Sequence, residues 1–422
     1  MMNENFAPVF RLENTIRNYA WGSYDGLSLY AGIKQDTGKP SAEFWMGAHP
    51  DAPSSIILPE GNRLSLQKYI RDYPMKTLGE DVFSEFGDLP FLFKVLSASM
   101  PLSIQVHPDK AKAEEGFDRE EKSGIPRSAP ERNYKDRNHK PELAVALSRF
   151  SALCGFREAG EAATLLGPEL RDYFGFDPLQ AEASFRSLLG KALTLRDKDR
   201  TFLESRAIGR ARELAKSDDA MAKIAGETAL MCFQHYPHDP GALSPLFMVV
   251  HHLEPGQGLY VPPGIMHAYL KGTVLEIMAT SDNVIRGGLT QKHIDVSDLL
   301  GTLDFRASPS LIDPESSDRK PWELSWKTPA REFSLSRLDI DESHNVKAET
   351  EGPEIFLCTD GSVSIACDSL IEKKNGMAAG KIGRSLEIAI GRGESAFIGA
   401  SCKSCALRGK GRVYKAGVGG GS

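Results

Sequence analysis

The sequence has no apolar run long enough to cross a bilayer, for which a helix needs about 20 consecutive apolar residues. Its first residues show neither the basic start nor the apolar stretch of a signal peptide. Lysine and arginine number 51 against 57 aspartate and glutamate residues, so the net charge of −6 provides no general basic field for nucleic acid. We therefore expect a cytoplasmic protein that binds neither a membrane nor nucleic acid.

Cysteine is also scarce, with six scattered residues in a chain of 422. Cys402 and Cys405 form a lone C-x-x-C motif without a second pair or a nearby histidine. This pattern indicates reduced thiols on a late strand or turn. The glycine-rich end of the chain, residues 417–422, resembles a flexible linker.

The pattern of apolar residues changes along the chain. Up to about Leu153 the sequence is typical of short strands broken by turns rich in glycine, proline and asparagine. From Arg157 to about Phe233 it is rich in alanine, leucine and charge, with apolar positions at helical spacing, and strand-like segments return from Leu246. We predict a mainly β protein with a helical insert. Its predicted parts are a β domain of residues 1–153 and 241–320, a helical domain of 154–240, a second β domain of 321–416 and a flexible tail of 417–422.

One short strand-like run carries polar groups on a single face. Ser103, Gln105 and His107 alternate with apolar residues, so their side chains share one strand face. A hydroxyl, an amide and an imidazole are costly to bury unless something binds them. Glu142 and His267 are candidates of the same kind further along the chain. Two imidazoles, a carboxylate and an amide oxygen form a set that suits zinc or another first-row divalent ion.

Spacing alone leaves a simpler alternative open, because a single histidine is more often a packed or surface residue than a ligand. The other histidines fall into two groups. We expect surface or packing roles for His235, His238, His251 and His252, and a supporting role behind the ligands for His49 and His139.

A second set of ionisable residues follows His267. Glu276, Asp282, Arg286 and Lys292 surround a turn-rich centre. The alternation of a strand places Glu276 on one face only a few residues after His267. As an isolated pair, Glu276 and Lys292 would more often be solvated ion-pair partners.

Five segments of the sequence resemble the same protein family. They are residues 18–23 (Asn-Tyr-Ala-Trp-Gly-Ser), 43–50 (Glu-Phe-Trp-Met-Gly-Ala-His-Pro), 91–109, 131–142 and 264–295. Together they resemble the type I mannose-6-phosphate isomerases, also called phosphomannose isomerases. The segments lie in order and at plausible spacing over most of the first 300 residues, and several are long enough that chance agreement is negligible.

The resemblance implies one zinc ion per chain and a role for each matching residue. It implies zinc ligands at Gln105, His107, Glu142 and His267. It implies catalytic roles for Arg286, Glu276 and Lys140, and substrate contacts for Lys94, Ser103, Asp282 and Lys292, with Lys94 and Ser103 near the phosphate. The chain departs from the family pattern at Gly287, at Gln291 and in residues 262–266, and none of these departures removes a ligand.

The resemblance also implies the fold and the reaction. The fold would comprise two jelly-roll (cupin-like) barrels with a helical domain between them. The reaction would be the reversible isomerisation of D-mannose 6-phosphate and D-fructose 6-phosphate through an enediol(ate), which supplies mannose for GDP-mannose and glycan synthesis or for mannose catabolism. The partner would be a small sugar phosphate, and a monomer is favoured over an obligate oligomer.

The residue types fit this chemistry independently. A carbon beside a carbonyl is a weak acid, so removing its proton requires positive charge aimed at the sugar oxygens. A metal with an open position and the permanent charge of Arg286 would supply it. Glu276 or a lysine could carry the proton. Lys94 stands in an apolar strand-like run, where a lysine either reaches the surface or serves a ligand.

Two other classes of function compete with this interpretation. A cupin oxidoreductase, whose metal activates oxygen, would usually show a compact H-x-H motif with a glutamate, which the sequence lacks. A non-catalytic sugar-binding bicupin would have little use for Arg286 together with an acid–base cluster. Some relatives are fused to a nucleotidyltransferase, but its glycine-rich N-terminal signature is missing here, so we expect a single activity.

Overall fold

The structure is a computed structural model, which describes residues 8–36, 38–58, 60–305, 309–317, 320–342, 346–369 and 384–420. Over these residues the chain forms 22 β-strands, ten α-helices and two 3-10 helices. The strands are β1 (Val9–Glu13), β2 (Thr15–Arg17), β3 (Glu43–Met46), β4 (Ser55–Ile57), β5 (Arg63–Ser65), β6 (Phe91–Ala98), β7 (Ile104–Val106), β8 (Glu142–Ala146), β9 (Phe150–Phe156), β10 (Met248–Leu253), β11 (Gly258–Val261), β12 (His267–Ala279), β13 (Ile285–Gly288), β14 (Leu311–Ile312), β15 (Glu315–Ser317), β16 (Lys320–Trp326), β17 (Ser334–Ile340), β18 (Val346–Glu349), β19 (Glu354–Ser369), β20 (Arg384–Gly391), β21 (Ser395–Ile398) and β22 (Ser404–Gly417). The α-helices are α1 (Gly26–Ala31), α2 (Leu66–Asp72), α3 (Pro74–Thr77), α4 (Glu80–Phe86), α5 (Lys110–Lys122), α6 (Ala159–Phe174), α7 (Ala181–Thr194), α8 (Asp197–Leu214), α9 (Ala220–His235) and α10 (Val296–Thr302), and the 3-10 helices are Pro178–Gln180 and Pro240–Leu246.

The first sheet carries the predicted site and is organised around β12. Its strand order is β14-β11-β8-β12-β6-β3-β2, with β7, β9, β10 and β13 attached to the side. The first part of β12 pairs with β7 and β9, and its second part pairs with β6 and β8. Gly272, with φ of 117°, lies where β12 passes from one set of partners to the other. One strand therefore joins both halves of the first sheet.

The second sheet joins the two ends of the chain. Its strand order is β15-β16-β17-β22-β19-β21-β1-β4-β5, with β18 and β20 at the side. Strand β1 lies between β21 and β4, so residues from the first 65 positions complete a sheet that is otherwise made of residues beyond 314. The residue limits of the predicted domains stay a prediction, but their first and last parts share this sheet.

Strict alternation along β6 separates the core from the site. Phe91, Phe93 and Val95 are buried in the core between the two sheets, where they meet Phe397. Because successive side chains of a strand point to opposite faces, Lys94 points to the other side, into the first sheet's interior. Burial of the apolar face of β6 in the core therefore directs Lys94 toward the predicted site.

The helical insert packs on the outside of β7. Helices α6 to α9 follow one another, and their apolar faces form one core with Ile104 and Val106. Ile104 and Val106 of the run 103–107 therefore lie in a core, as the alternation predicts, and Gln105 points to the opposite face of β7. The predicted fold class, mainly β with a helical insert, is confirmed.

The start of the glycine-rich tail differs from the prediction of a flexible linker. Gly417 belongs to β22, the carbonyl oxygen of Val418 accepts a hydrogen bond from Ser334 Oγ at 3.0 Å, and Gly419 N donates one to Arg331 O at 3.1 Å. Residues 421–422 lie outside the described residues. No helix in the described part of the chain is both long and apolar enough to cross a membrane.

Candidate metal centre and active site

Three predicted ligands meet inside the first sheet. His107, Glu142 and His267 are 1% exposed each, and one potential ligand atom from each lies within 4.8 Å of the others. Glu142 Oε1 is 3.3 Å from His107 Nε2, and Glu142 Oε2 is 3.3 Å from His267 Nε2. These residues are far apart in sequence and are joined by the pairing of β7, β8 and β12.

Backbone carbonyl groups set the orientation of both imidazoles. His107 Nδ1 lies 2.7 Å from Asn283 O, and His267 Nδ1 lies 2.9 Å from Ile265 O. A carbonyl oxygen can only accept, so each Nδ1 carries the hydrogen, and in a neutral ring each Nε2 then presents a lone pair. Metal-binding histidines are commonly oriented by such partners.

The residues therefore fit a divalent cation. Two ring nitrogens and a carboxylate converge, and among the described residues His107 Nε2 and Glu142 Oε2 have no hydrogen-bond partner. Burial and the nearby Lys140 lower the pKa of His107 to about 4, so its ring stays neutral. Burial alone would raise the pKa of Glu142, but Lys140 and His107 lower it well below its usual range. The donor set is the nitrogen and oxygen type that zinc accepts.

Gln105 and Arg286 occupy the same row of the sheet as His267. Gln105 is paired with His267 on one side and with Arg286 on the other. Side chains at paired positions lie on one face, so all three face the same interior. The Gln105 amide nitrogen is 3.3 Å from His267 Nε2, and a half-turn of the amide places its oxygen there instead. The structure thus brings the fourth predicted ligand beside the other three.

A cluster of positive charge lies at the Arg286 end of this row. Burial lowers the pKa of Arg286, which is half-buried, and no hydrogen bond or ion pair of its guanidinium is found among the described residues. Burial, followed by the charges of Arg286 and Lys135, lowers the pKa of Lys292. Arg286 and Lys292, for which no ion pair is found among the described residues, indicate a place for an anion.

Lys94 and Glu276 form a buried ion pair on the opposite half of the interior. Lys94 Nζ is 2.5 Å from Glu276 Oε2 and 3.4 Å from Glu43 Oε1. Burial acts to lower the pKa of Lys94, but Glu276 and Glu43 outweigh it and raise the pKa, so the ammonium stays charged. Burial raises the pKa of Glu276 despite the nearby Lys94. Tyr269 lies beside Glu276, and burial together with this carboxylate raises the pKa of its phenol.

Asp282 lies at the rim with a histidine and an arginine as partners. His49 Nε2 is 3.3 Å from Asp282 Oδ1, and Arg127 Nη2 donates to Asp282 Oδ2 at 3.3 Å. Burial acts to raise the pKa of Asp282, but His49 and nearby lysines lower it below its usual range. His49 therefore supports a predicted substrate residue and not a predicted metal ligand.

The two remaining predicted site residues differ in their placement. Lys140 is buried, and its Nζ is 3.2 Å from Glu142 Oε1, so it lies directly beside the candidate metal position. Ser103 is half-buried and immediately precedes β7. Its position at the start of β7 agrees with the predicted face, and its predicted phosphate contact stays a prediction.

The histidines predicted to lie outside the ligand set bind other partners. His251 Nε2 lies 3.3 Å from Cys154 O, His252 Nδ1 lies 2.9 Å from Ser151 Oγ, and His238 Nδ1 lies 2.6 Å from Glu204 Oε2. His139 Nε2 is 2.5 Å from Glu332 Oε1, a residue of the segment before β17. His235 lines an open cleft beside the helical insert.

Sequence reasoning missed three residues that complete the site. Glu43 forms a second ion pair with Lys94, and Tyr269 lies beside Glu276. The backbone oxygen of Asn283 accepts a hydrogen bond from the His107 ring. The Asn283 side chain also accepts a hydrogen bond from Lys135 N at 2.7 Å and donates one to Asp136 O at 2.8 Å. On β3, Glu43 and Trp45 are two positions apart and therefore share a strand face, so alternation could have indicated that Glu43 faces the interior. Asn283 could be recognised in the sequence only as part of a turn.

Comparison with known proteins identifies the family. A family model described as phosphomannose isomerase type I, catalytic domain, matches residues 9–159. The mannose-6-phosphate isomerase of Escherichia coli K12 is 37% identical over 96% of this chain and 98% of the relative, and the human protein is 33% identical over 84% and 88%. The chain belongs to the type I mannose-6-phosphate isomerase family.

Solved structures of the family agree along nearly the whole chain. A variant of the phosphomannose isomerase from Salmonella typhimurium superposes with a TM-score of 0.85 at 33% identity, covering 98% of this chain and 100% of the other. A zinc-bound mannose 6-phosphate isomerase superposes with a TM-score of 0.82 at 35% identity and the same coverage. The family resemblance and the fold class predicted from the sequence are thereby confirmed.

Proposed function

We propose that this chain is an isomerase that interconverts D-mannose 6-phosphate and D-fructose 6-phosphate by proton transfer between neighbouring carbons. The observation that carries the proposal is a buried set of converging ligand atoms beside Arg286 and Lys292, for which no ion pair is found among the described residues. The first suits a metal and the second suits an anionic substrate, so one interior offers both requirements. The family name of the relatives agrees with this reaction.

The proposed cofactor is one zinc ion, held by His107, Glu142 and His267, with the amide oxygen of Gln105 as the fourth ligand. When bound, zinc would polarise the sugar carbonyl as a Lewis acid. The orienting hydrogen bonds to Asn283 O and Ile265 O keep both imidazoles in the form that binds metal. The donor set also admits cobalt or manganese, because nitrogen and oxygen ligands discriminate weakly among divalent ions.

Proton transfer is proposed for Glu276, with Lys140 beside the metal ligands. Burial raises the pKa of Glu276, which moves a carboxylate toward the range useful for a general base. Its strand position places it on the same interior face as Glu142, since the residue two positions after Glu276 pairs with Glu142. Lys140 Nζ supplies positive charge close to Glu142. Arg286 is proposed to stabilise the negative charge that develops on the sugar oxygens.

The substrate phosphate is proposed to bind at Lys292, with Lys135 contributing charge. Both lysines belong to the cation cluster at the open end of the row that begins at the metal position. Lys94 is less suited to this role, because two buried carboxylates already neutralise its ammonium. Asp282 is proposed to contact the sugar from the rim. The phosphate contacts of Lys94 and Ser103 remain predictions from the resemblance.

A coupled assay of purified protein tests the proposed reaction. Fructose 6-phosphate release from mannose 6-phosphate should depend on zinc, and His107→Asn should abolish both zinc binding and turnover. His252→Asn is the matched control, because this imidazole bonds to Ser151 outside the ligand set. Full activity in protein that elemental analysis shows to be free of metal would exclude the zinc site.

We further propose that the chain acts as a monomer in the cytoplasm. All six cysteines are free and buried, which suits a reducing compartment. The substrate site as described is built from one chain. Light scattering of the active enzyme at assay concentration should give the mass of one chain, and an obligate oligomer would contradict the proposal.

A further inference from the structure

The segment after β13 connects two functional residues and rests on the helical insert. Residues 287–292, named here the cation loop, lead from Arg286 to Lys292. Arg286 is held by strand pairing with Gln105, but Lys292 lies beyond the end of β13. The position of Lys292 therefore depends on what holds the cation loop.

The cation loop is pressed against the 3-10 helix Pro240–Leu246. Gly288 and Gly241 approach so closely that a Cβ added to either would lie 2.7 Å from the other's Cα. The next residue, Leu289, has φ of 51°, unusual for a residue other than glycine, and its side chain is buried in the core of the helical insert. The backbone thus adopts a costly conformation at the contact, which the surrounding structure must hold in place.

Asp239 joins the two sides of this contact. Its Oδ1 accepts a hydrogen bond from Gly241 N at 2.7 Å, which caps the 3-10 helix. Its Oδ2 accepts one from Thr290 N at 2.8 Å, in the middle of the cation loop. Lys292 N then donates to Thr290 Oγ1 at 3.1 Å. A short chain of hydrogen bonds therefore runs from the helical insert to Lys292.

The space beside the cation loop is open. A cleft of about 530 Å³ is lined by His235 and Pro240 on the helical side and by Thr290, Gln291 and Lys292 on the loop side. Without an anchor, the loop has room to move into this cleft. The bond from Asp239 to Thr290 holds the loop at the edge of the space.

We propose that Asp239 is a positioning residue, which holds the cation loop so that Lys292 meets the substrate phosphate. This inference rests on the proposed function, because it assigns the phosphate to Lys292. A cap of the 3-10 helix needs one carboxylate oxygen only, so the second hydrogen bond serves the loop. The helical insert thereby takes part in substrate binding without touching the substrate.

The test compares two Asp→Asn variants that differ in one respect. Asp219 caps α9 through a single hydrogen bond from Ala222 N at 2.7 Å and lies at the start of the last long helix of the insert. Asparagine caps helices as well as aspartate does, so Asp219→Asn should leave stability and kinetics unchanged. In Asp239→Asn only one carbonyl oxygen remains for two N–H groups, so the cap or the loop bond is lost.

We expect Asp239→Asn to raise KM for mannose 6-phosphate and the inhibition constant of inorganic phosphate about tenfold, the size expected for losing one hydrogen bond to a charged group. Zinc content and kcat should change little, since the ligands and Arg286 are held by strand pairing. Removal of a negative charge near Lys292 would by itself strengthen phosphate binding, so weaker binding reports on position. Asp239→Ala, which removes both acceptors, should have a larger effect in the same direction.

Lys292→Ala separates failure of this inference from failure of the proposed function. If Lys292→Ala weakens phosphate inhibition and neither Asp239→Asn nor Asp239→Ala does, the positioning role of Asp239 is overturned and the phosphate assignment stands. If Lys292→Ala leaves phosphate inhibition unchanged, the phosphate assignment fails and the inference fails with it. Parallel weakening in both variants, with Asp219→Asn unaffected, supports the positioning role.

Discussion

At the scale of single residues, Arg286 is the group whose removal best separates catalysis from binding. Its guanidinium faces the ligand row, and no carboxylate partner is found for it among the described residues. Arg286→Ala should lower kcat about 10²–10³-fold, the scale for loss of one preorganised donor, with a smaller change in KM. Arg286→Lys should recover only part, because an ammonium lacks the planar fork. Steady-state kinetics on zinc-replete variants measure this.

The matched control for Arg286 is Arg149→Ala, which removes an exposed arginine paired with Glu254 at 3.3 Å. It should leave kcat and KM unchanged. A large rise in KM with kcat preserved in Arg286→Ala would assign this residue to phosphate binding instead.

A variant of Lys94 distinguishes a structural role in a buried ion pair from a role in phosphate binding. It is surrounded by Glu276 and Glu43 and is 6% exposed. Lys94→Met should reduce the free energy of unfolding by about 3–5 kcal/mol, because it leaves buried carboxylates without a counter-charge. Denaturant titration measures the change. Lys68→Met, which removes an exposed lysine 2.5 Å from Asp72, should cost less than about 1 kcal/mol.

The kinetics of the same Lys94 variant decide its part in substrate binding. If the ion pair is its main role, residual activity should show a lowered kcat through the altered Glu276. A rise in KM alone, at unchanged stability, would return Lys94 to the phosphate site predicted from the family resemblance.

Glu354, in the second sheet, makes stability depend on pH. It is buried, and burial raises its pKa to about 7, although Lys415 opposes the shift and Glu323 adds to it. Between about pH 4.5 and 7 the folded protein therefore binds more protons than the unfolded chain. The contribution of Glu354 to the free energy of unfolding is fully present below about pH 4.5 and is lost as the pH rises through about 7. Glu354→Gln should be more stable than the parent at pH 8 by up to about 3 kcal/mol, and the difference should vanish near pH 4.5.

Thermal or denaturant unfolding at several pH values checks the Glu354 prediction. Glu349→Gln removes the same charge from an exposed position on β18 and should show no such pH-dependent difference. A constant difference between Glu354→Gln and the parent across this range would show that folding does not shift the pKa of Glu354.

At the scale of elements, β12 is the strand on which the site depends. Its two parts carry His267 and Glu276, and between them Gly272 adopts φ of 117°. A Cβ at Gly272 would lie 2.5 Å from Arg149 O. Gly272→Ala should therefore destabilise the protein by about 1–3 kcal/mol or more and weaken zinc binding, since both the conformation and the space exclude a side chain.

A helical glycine provides the control for Gly272. Gly209 lies exposed within α8, and a Cβ there would meet no atom of the described residues within 4 Å. Gly209→Ala should raise the free energy of unfolding by about 0.5–1 kcal/mol through helix propensity, without affecting zinc. Melting temperature and zinc content of the two variants test the comparison. Equal behaviour of the two would show that the bend in β12 tolerates a side chain.

Alternation within elements was predictable from the sequence, and the partners of each element were not. The alternation in residues 103–107 correctly put Ile104 and Val106 in a core and Gln105 on the other face. The same rule could not show that Arg286 and His267 flank Gln105 on neighbouring strands. Alternation follows from local backbone geometry, but register depends on how the whole sheet assembles.

At the scale of the whole molecule, we expect the large cores to keep the chain folded without metal. Buried apolar clusters lie in the helical insert, between the two sheets and within the second sheet. Chelation should abolish activity and lower the melting temperature, while far-ultraviolet circular dichroism and cooperative unfolding persist. Restoring zinc should restore activity, and cobalt or manganese should restore part of it. Loss of secondary structure on chelation would contradict this expectation.

The sequence by itself determined the donor types, the mainly β class, the helical insert and the family resemblance. These follow from composition, from local periodicity and from segments that resemble a known family, all of which can be read along a single chain. The structure brings the predicted ligands His107, Glu142 and His267 together, and their role as zinc ligands stays a prediction.

Tertiary structure alone decided the electrostatic setting of those residues. It placed Lys94 between Glu276 and Glu43, gave His107 a backbone acceptor at Asn283, and laid the cation loop on the helical insert through Asp239. It also placed β1 in the second sheet, beside β21 from the other end of the chain. The physical reason is that a side chain's charge and hydrogen bonds depend on which distant groups packing brings within a few ångströms. A backbone carbonyl acceptor carries no signature in the residue type, so only the folded chain reveals it.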